Sequence, residues 1–134
     1  KTVIVGQESD AEPARAMSTL MQEDAVNLVG QTSFGQLGAL LRLASAYVGN
    51  DSAPSHLAAA AGIPTLGLFG PSLDELYAPW GPLGAAVRAD KSFDEIFPEN
   101  FDHRATGTLM DSLTVDTVEA AAHALWRRAS EAAA

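Results

Sequence analysis

The sequence predicts an α/β domain in which a Rossmann-like parallel sheet carries helices on both faces. Apolar, β-branched runs alternate with helical patterns four times in the first 70 residues, and several of these runs end at glycine. The connections between them are short. Strands and helices that alternate in this way form parallel sheets. A chain of 134 residues has the length of one domain, so we expect a single domain over residues 1–134.

Four predicted strands share a high content of Val, Ile, Leu and other apolar residues. They are residues 2–5, 25–29, 46–48 and 64–69, and residues 85–88 are a weaker fifth candidate. The first run is β-branched throughout and does not alternate between polar and apolar residues, which is typical of a strand that is buried on both faces.

Four helices are predicted from apolar residues at helical spacing. The first follows Pro13, a residue suited to a first turn, and its apolar stripe is Ala14, Met17, Leu20 and Met21. Ser33 and Gln36 form a capping-box pattern before the second, whose stripe is Leu37, Leu40, Leu41 and Ala44. The third lies between Pro54 and Gly62. The fourth follows Thr114, with a predicted buried stripe of Val115, Val118, Ala122, Leu125 and Trp126.

Composition excludes several classes of function. Seventeen acidic and eight basic residues give a formal charge of −9, which provides no electrostatic footprint for nucleic acid or anionic lipid. The absence of cysteine excludes disulfides, thiolate metal sites and cysteine nucleophiles. It also fits a reducing compartment. Any anionic ligand must be attracted by local dipoles, because the overall field repels it.

The segment with the clearest chemical pattern runs from Asp51 to His56. The third predicted strand delivers Asp51 and Ser52 to the carboxyl edge of the sheet, where α/β proteins bind ligands. A helix then begins near Pro54, and its first turn leaves N–H groups without internal partners. These groups and the helix dipole favour a phosphate. Ser52 and Ser55 add hydroxyl donors, and Ala53 permits close approach of the backbone.

Asp51 and His56 suit other parts of such a ligand. A carboxylate beside a phosphate site is better placed to accept hydrogen bonds from sugar hydroxyls. We expect His56 to be a neutral imidazole that forms hydrogen bonds, because it lies at the positive end of the helix. Simpler interpretations are that Asp51, Ser52 or Ser55 only caps the helix, and that His56 is a partly buried histidine with satisfied hydrogen bonds.

Other polar and aromatic groups have weaker patterns. Glu8, Asp10 and Glu12 are candidate metal ligands, but acidic loops are usually only solvated, and no metal site is predicted. Residues 94–103 form an acidic stretch that we interpret as a solvated face, and His103 and Arg104 have no supporting spacing. Trp80 either lines a cleft or packs on the surface, and Trp126 is predicted to lie in the core. A strand at the very start of the chain, with no initiator methionine, predicts a piece of a longer protein.

Residues 47–71 resemble the donor-site signature of glycosyltransferase family 9, the lipopolysaccharide heptosyltransferases. They read Tyr-Val-Gly-Asn-Asp-Ser-Ala-Pro-Ser-His, then an alanine-rich helix, a Pro-led strand and Phe-Gly-Pro. Residues 77–81, Tyr-Ala-Pro-Trp-Gly, and residues 27–37 extend the likeness, which covers residues 2–81 well. Ala53 stands where the family usually has glycine, and Ser55 stands where a bulky apolar residue is usual.

This resemblance implies a GT-B architecture, of which the chain matches the C-terminal, donor-binding half. It implies an ADP-heptose-like donor, a lipopolysaccharide core acceptor, metal-independent inverting transfer without a cofactor, and catalytic groups in the other half. It also implies a place in the cytoplasm or peripheral to the inner face of the membrane. The implied donor-site residues are Asp51 for the sugar, Ser52, Ala53 and His56 along the diphosphate and sugar, Gly30 and Thr32 for the nucleobase, and Glu12 for the ribose, whereas the role of Ser55 as a hydroxyl donor rests on the helix N-terminus alone. A non-catalytic nucleotide- or partner-binding module of the same fold is the alternative.

Overall fold

A computed structural model describes residues 1–21, 24–70, 72–91, 95 and 109–132. These residues belong to two compact units, Lys1–Leu40 and Leu41–Ala134. Each unit contains its own parallel sheet, flanked by helices. The predicted α/β class is therefore confirmed, whereas a single domain over residues 1–134 stays a prediction.

The first unit is built on two short parallel strands, β1 (Thr2–Ile4) and β2 (Ala25–Asn27). A 3-10 turn (Glu8–Asp10) and helix α1 (Ala11–Leu20) connect them. Its small core consists of Ile4, Ala14 and Val29, against which Ala11, Met21 and Ala25 pack. The prediction that β1 is buried on both faces is wrong for Thr2 and Val3, which are exposed, because the small core of this unit reaches β1 only at Ile4. Met17 and Leu20 of the predicted stripe are exposed as well.

Helix α2 (Phe34–Leu41) begins at the predicted capping box. The Ser33 N–H donates to Gln36 Oε1 at 2.9 Å, and the Gln36 N–H donates back to Ser33 Oγ at 3.3 Å. Two orphan donors of the first turn are satisfied in this way. Leu37 and Leu41 are buried as predicted.

The second unit contains the parallel strands β3 (Tyr47–Asn50), β4 (Thr65–Phe69) and β5 (Gly84–Arg88), in that order across the sheet. Helix α3 (Ala53–Ala60) connects β3 to β4, and the short helix α4 (Asp74–Tyr77) lies between β4 and β5. Helix α5 (Val115–Ala132) follows near the end of the chain. The weakly predicted strand at 85–88 is thus confirmed as β5.

The core of the second unit is centred on β4, where Leu66 and Phe69 are completely buried. Leu125 of α5 packs with Leu66 and Val87. Thr114 caps α5 as predicted, since its Oγ1 accepts from the Thr117 N–H at 3.2 Å. The predicted stripe of α5 is wrong at its margins, where Val115 is exposed and Trp126 is 50% exposed. The face that packs is formed by Val118, Ala121, Ala122 and Leu125.

Several predictions concern residues that the structure does not describe. Pro71, His103, Arg104 and, apart from Glu95, the acidic stretch 94–103 lie outside the described residues. Trp80 is described and is 90% exposed, so it packs on nothing in the described structure. Within that structure, every helix is too short or too polar to cross a lipid bilayer.

Candidate functional site

The candidate site lies where β3 ends and α3 begins. The Asp51 N–H donates to the Leu68 carbonyl at 3.2 Å, which continues the β3–β4 ladder one residue past the strand. Ser52 is fully extended, with φ −163° and ψ 167°, and is the N-cap residue of α3. The chain therefore passes from a parallel strand into a helix within two residues, and Asp51 and Ser52 stand at the carboxyl edge of the sheet.

The first turn of α3 is not capped by a side chain. The Ser52 hydroxyl donates to the Asn50 carbonyl at 3.2 Å instead, and the Ser55 N–H donates to the Ser52 carbonyl at 3.0 Å. Pro54 has no N–H to offer. Among the described residues, the N–H groups of Ser52 and Ala53 have no acceptor. Simple capping by the Ser52 side chain is therefore not what the structure shows, and two donors remain open.

Ala53 fits this turn without backbone strain. Within the described part of the chain, every residue with a positive φ is a glycine. The penalty that a side chain pays in the left-handed region therefore does not arise at Ala53, although the related signature usually carries glycine there.

Asp51 and His56 approach each other beside this helix end. His56 Nε2 lies 3.6 Å from Asp51 Oδ1, and the side chains are 48% and 19% exposed, respectively. An exposed pair at this distance contributes at most about 1 kcal/mol to stability. About half of the imidazole is exposed, so the interpretation of His56 as a partly buried histidine stays open beside the functional one.

Ser55 differs from its neighbours because it is completely buried. Its hydroxyl has no hydrogen-bond partner in the described structure. A buried hydroxyl without a partner costs about 1–3 kcal/mol, and sequence reasoning, which treated Ser55 as an accessible donor, did not anticipate this burial.

Tyr47, whose hydroxyl lies against Gly49, is close to the candidate site along β3 and was not singled out from the sequence. Burial raises the pKa of its phenol. The sequence contains one indication of the contact between Tyr47 and Gly49, because residues two apart in a strand share a face.

The remaining candidates belong to the first unit. Gly30 follows β2 with φ +71°, and its N–H donates to the Gly6 carbonyl at 3.0 Å. A Cβ at Gly30 would overlap the Glu8 carboxylate, so Glu8 lies against Gly30. Glu12 is exposed in the first turn of α1, and Thr32 is half-buried. Glu8 is thus a second carboxylate candidate for this region.

No metal centre is visible among the described residues, where no three His, Asp or Glu side chains come together as metal ligands do. Glu8, Asp10 and Glu12 are close in sequence but do not form such a group. The groups that the described site presents are backbone N–H groups, hydroxyls, a carboxylate and an imidazole.

An open helix N-terminus at the carboxyl edge of a parallel sheet is the arrangement with which α/β proteins hold phosphate-bearing ligands. The family model described as "Glycosyltransferase family 9 (heptosyltransferase)" matches residues 1–97. The chain belongs to this family.

Curated relatives and a solved structure are similar to the chain. Lipopolysaccharide heptosyltransferase 3 of Escherichia coli is 43% identical over 53 residues, which are 40% of this chain and 16% of that protein. Lipopolysaccharide heptosyltransferase 2 of the K12 strain is 29% identical over 100 residues, which are 72% of this chain and 29% of that protein. The matched segments therefore span less than a third of these relatives.

The crystal structure of the glycosyl transferase family 9 protein from Veillonella parvula DSM 2008 matches with a TM-score of 0.78 and 23% identity. The match covers 94% of this chain and 36% of that one. At this identity, the likeness shows a shared fold.

Proposed function

We propose that this chain forms the donor-binding part of a glycosyltransferase, equivalent to the C-terminal half of a GT-B enzyme. Its donor is a nucleoside-diphosphate sugar of the ADP-heptose type, and its acceptor is a lipopolysaccharide core. Family membership supports sugar transfer as the class of reaction. The observation that carries the donor-site assignment is the uncapped N-terminus of α3 beside Asp51. The neighbours' names, which refer to heptosyl transfer, support the sugar and the acceptor.

The N-terminus of α3 suits the diphosphate. A chain of charge −9 repels anions at long range, so attraction must come from groups in direct contact. The open N–H groups of Ser52 and Ala53 supply hydrogen-bond donors, and the helix end adds a positive field equivalent to about half a charge. This field falls off within the first turn, so we assign the diphosphate to the space directly in front of Ala53.

Asp51 and His56 suit the sugar. A carboxylate that touched the diphosphate would repel it, whereas sugar hydroxyls donate to carboxylates. His56, which lies beside Asp51 and faces solvent, adds an imidazole that hydrogen-bonds to the sugar or to a phosphate oxygen. In the first unit, Gly30 and Thr32 flank the nucleobase and Glu12 binds the ribose, with Glu8 as a neighbouring carboxylate.

During transfer, the nucleoside diphosphate leaves with an increased negative charge. Donors that are already oriented stabilise such charge without reorganisation, and we assign this task to the N–H groups of Ser52 and Ala53. An acceptor hydroxyl attacks from the opposite side of the sugar, and a base from outside this donor-binding part takes its proton. The reaction proceeds with inversion, needs no metal, and takes place in the cytoplasm or at the inner face of its membrane.

The first experiment is a calorimetric titration of the full natural protein with ADP and with ADP-heptose. Both ligands are expected to bind, and ADP-heptose is expected to support transfer to a lipopolysaccharide core acceptor. A folded protein that binds neither ligand at millimolar concentration would contradict the donor-site assignment. ADP binding without any transfer would favour a non-catalytic nucleotide-binding module.

Asp51→Asn separates the sugar from the diphosphate. It preserves shape but removes the charge that strengthens hydrogen bonds from sugar hydroxyls. We expect affinity for ADP-heptose to fall about tenfold or more, since hydrogen bonds to charged groups contribute about 1.5–3 kcal/mol, while affinity for ADP stays within twofold. Glu75→Gln in α4, an exposed carboxylate, is the matched control and should change neither value. Equal losses for both ligands would remove Asp51 from the sugar subsite.

Ser55→Ala tests the buried hydroxyl. Without ligand, we expect the free energy of unfolding to rise by about 1 kcal/mol, because an unpartnered polar group leaves the interior. Urea unfolding measures this change. The hydroxyl is completely buried without ligand, so we propose that donor binding shifts the first turn of α3 and lets this hydroxyl donate to the diphosphate; ADP affinity should then fall several-fold in this variant. A more stable variant with unchanged ADP affinity would exclude Ser55 from the donor site.

A further inference from the structure

The connection from β4 to α4 borders Asp51 at the carboxyl edge of the second unit's sheet. Asn50 pairs with Leu68 in the parallel ladder, and the Asp51 N–H donates to the Leu68 carbonyl. Asp51 is therefore level with Phe69, which lies about 4.8 Å away in the hydrogen-bonding direction. The connection begins directly beyond Phe69, so it is adjacent to the proposed sugar subsite. We call it the β4–α4 turn, and its described residues are Gly70, Ser72 and Leu73.

Arg88 lies on the face of the sheet that this connection crosses. Leu66 and Val87 pack with α5 on one face, so Arg88, the next residue of β5, belongs to the opposite face. Pro79, which follows α4, lies against Gly67 on that opposite face. Because β3, β4 and β5 are adjacent and in chain order, right-handed crossovers place α3 on the same side as α4. Arg88 is therefore on the side of the sheet where α3 begins.

The Arg88 guanidinium binds the end of the β4–α4 turn. Arg88 ends β5, level with Phe69. Its Nη1 donates to the Ser72 carbonyl at 3.2 Å and to Asp74 Oδ1 at 2.7 Å, and Asp74 is the first residue of α4. The side chains of Arg88 and Asp74 are 25% and 31% exposed, and a charge-assisted bond of this length is among the stronger hydrogen bonds. The turn is thus joined to β5 across the edge of the sheet.

The start of the β4–α4 turn is held from the other face. Gly70 is buried, and a Cβ there would overlap Met110 Sδ and the Leu109 carbonyl. The chain just before α5 therefore packs directly on Gly70. Groups outside the turn hold it at both ends, so its backbone is ordered before any ligand binds, which lowers the entropic cost of binding.

We propose that Arg88 and Asp74 are positioning residues of the donor site, which hold the β4–α4 turn as a wall of the sugar subsite beside Asp51. This inference rests on the proposed function and adds two residues to it. In this role neither side chain contacts the donor, and both act through the backbone of the turn. ADP ends at the diphosphate in front of Ala53, so only the sugar of the donor meets this wall.

The test compares ADP and ADP-heptose binding to the full natural protein and its Arg88→Met variant. Methionine keeps an apolar stem but removes both hydrogen bonds. ADP-heptose affinity should fall about three- to tenfold, because the donor must then order the turn as it binds, while ADP affinity stays within about twofold. Arg127→Met is the matched control, since Arg127 is an exposed arginine of α5, and it should bind both ligands like the wild type.

Asp74→Asn tests whether the two residues act as a pair. Arg88 can still donate to the Ser72 carbonyl in this variant, so we expect a smaller loss that is again selective for ADP-heptose. In the Arg88→Met background, Asp74→Asn should have no further effect, because contacting residues are not additive. Circular dichroism shows whether each variant is folded. If Arg88→Met fails to fold, the selective loss in Asp74→Asn decides the proposal.

The outcomes separate the two levels of inference. A wild-type protein that binds neither ligand overturns the proposed function, and one that binds ADP but not ADP-heptose removes the sugar subsite; the role of Arg88 and Asp74 falls in both cases. If the wild type binds both ligands, unchanged or equal affinity losses in Arg88→Met overturn the positioning role alone, since a merely structural ion pair would lower stability without changing the ratio of the two affinities. Additive losses in the double variant also overturn it. A selective loss that is not additive supports both.

Discussion

Phe69→Ala is expected to lower the free energy of unfolding by about 3–5 kcal/mol. Phe69 ends the central strand β4 and is 0% exposed. Its ring also lies against Gly67, where a Cβ would stand 2.7 Å from the ring. Removing the ring leaves a cavity between backbone segments that cannot close over it, so the loss includes a cavity contribution as well as the loss of apolar burial.

Urea or thermal unfolding followed by circular dichroism measures this effect. Leu76→Ala in α4 is the matched control, since Leu76 is 71% exposed, and its midpoint should move by less than the equivalent of about 0.5 kcal/mol. A Phe69→Ala variant as stable as Leu76→Ala would show that the core of the second unit is not centred on β4.

Gly84→Ala is expected to destabilise the chain by about 2–3 kcal/mol. Gly84 begins β5 opposite Thr65, and a Cβ there would overlap the backbone carbonyl of Pro79. A side-chain neighbour can change rotamer, but a carbonyl can move only with its chain segment. The substitution therefore displaces either β5 or the turn at Pro79, and it weakens the pairing of β5 with β4.

Gly38→Ala provides the opposite control in the same measurement. Gly38 lies inside α2 with open space around its Cα. Alanine there should stabilise the chain by about 0.5–1 kcal/mol, because it restricts the unfolded state at no steric cost. If both glycine variants lost stability equally, the clash at Pro79 would not be the cause.

Local patterns in the sequence predicted much of the fold. The capping box of Ser33 and Gln36 and the cap at Thr114 are formed by residues three apart, so sequence spacing determines their geometry. The end of α3 at Gly62, with φ +77°, is local in the same sense. The marginal residues of helix stripes were harder to predict, because whether Met17 or Trp126 is covered depends on the size of the surface against which the helix packs.

The candidate site was likewise predictable from the sequence only where its features are local. The end of β3, Ser52 and Pro54 predict a helix N-terminus from the sequence. Asp51 precedes this N-terminus and His56 lies in its first turn, so the sequence also predicts that both side chains are near it. The direction of the Ser52 hydroxyl, which donates to the Asn50 carbonyl at 3.2 Å and does not cap α3, could not be predicted in this way. No periodicity or capping rule contains that contact.

The sequence by itself determined the parallel α/β class, the order of strands and helices, and the segment from Asp51 to His56, because these depend on interactions between residues close along the chain. Only the tertiary structure decided that Ser55 is buried with its hydroxyl unpartnered, that Glu8 lies against Gly30, and that Ser52 leaves α3 uncapped. These features depend on which side chains and carbonyls the folded backbone brings within hydrogen-bonding or packing distance. These contacts join groups whose distance is set by the folded backbone, and local sequence patterns do not specify that distance.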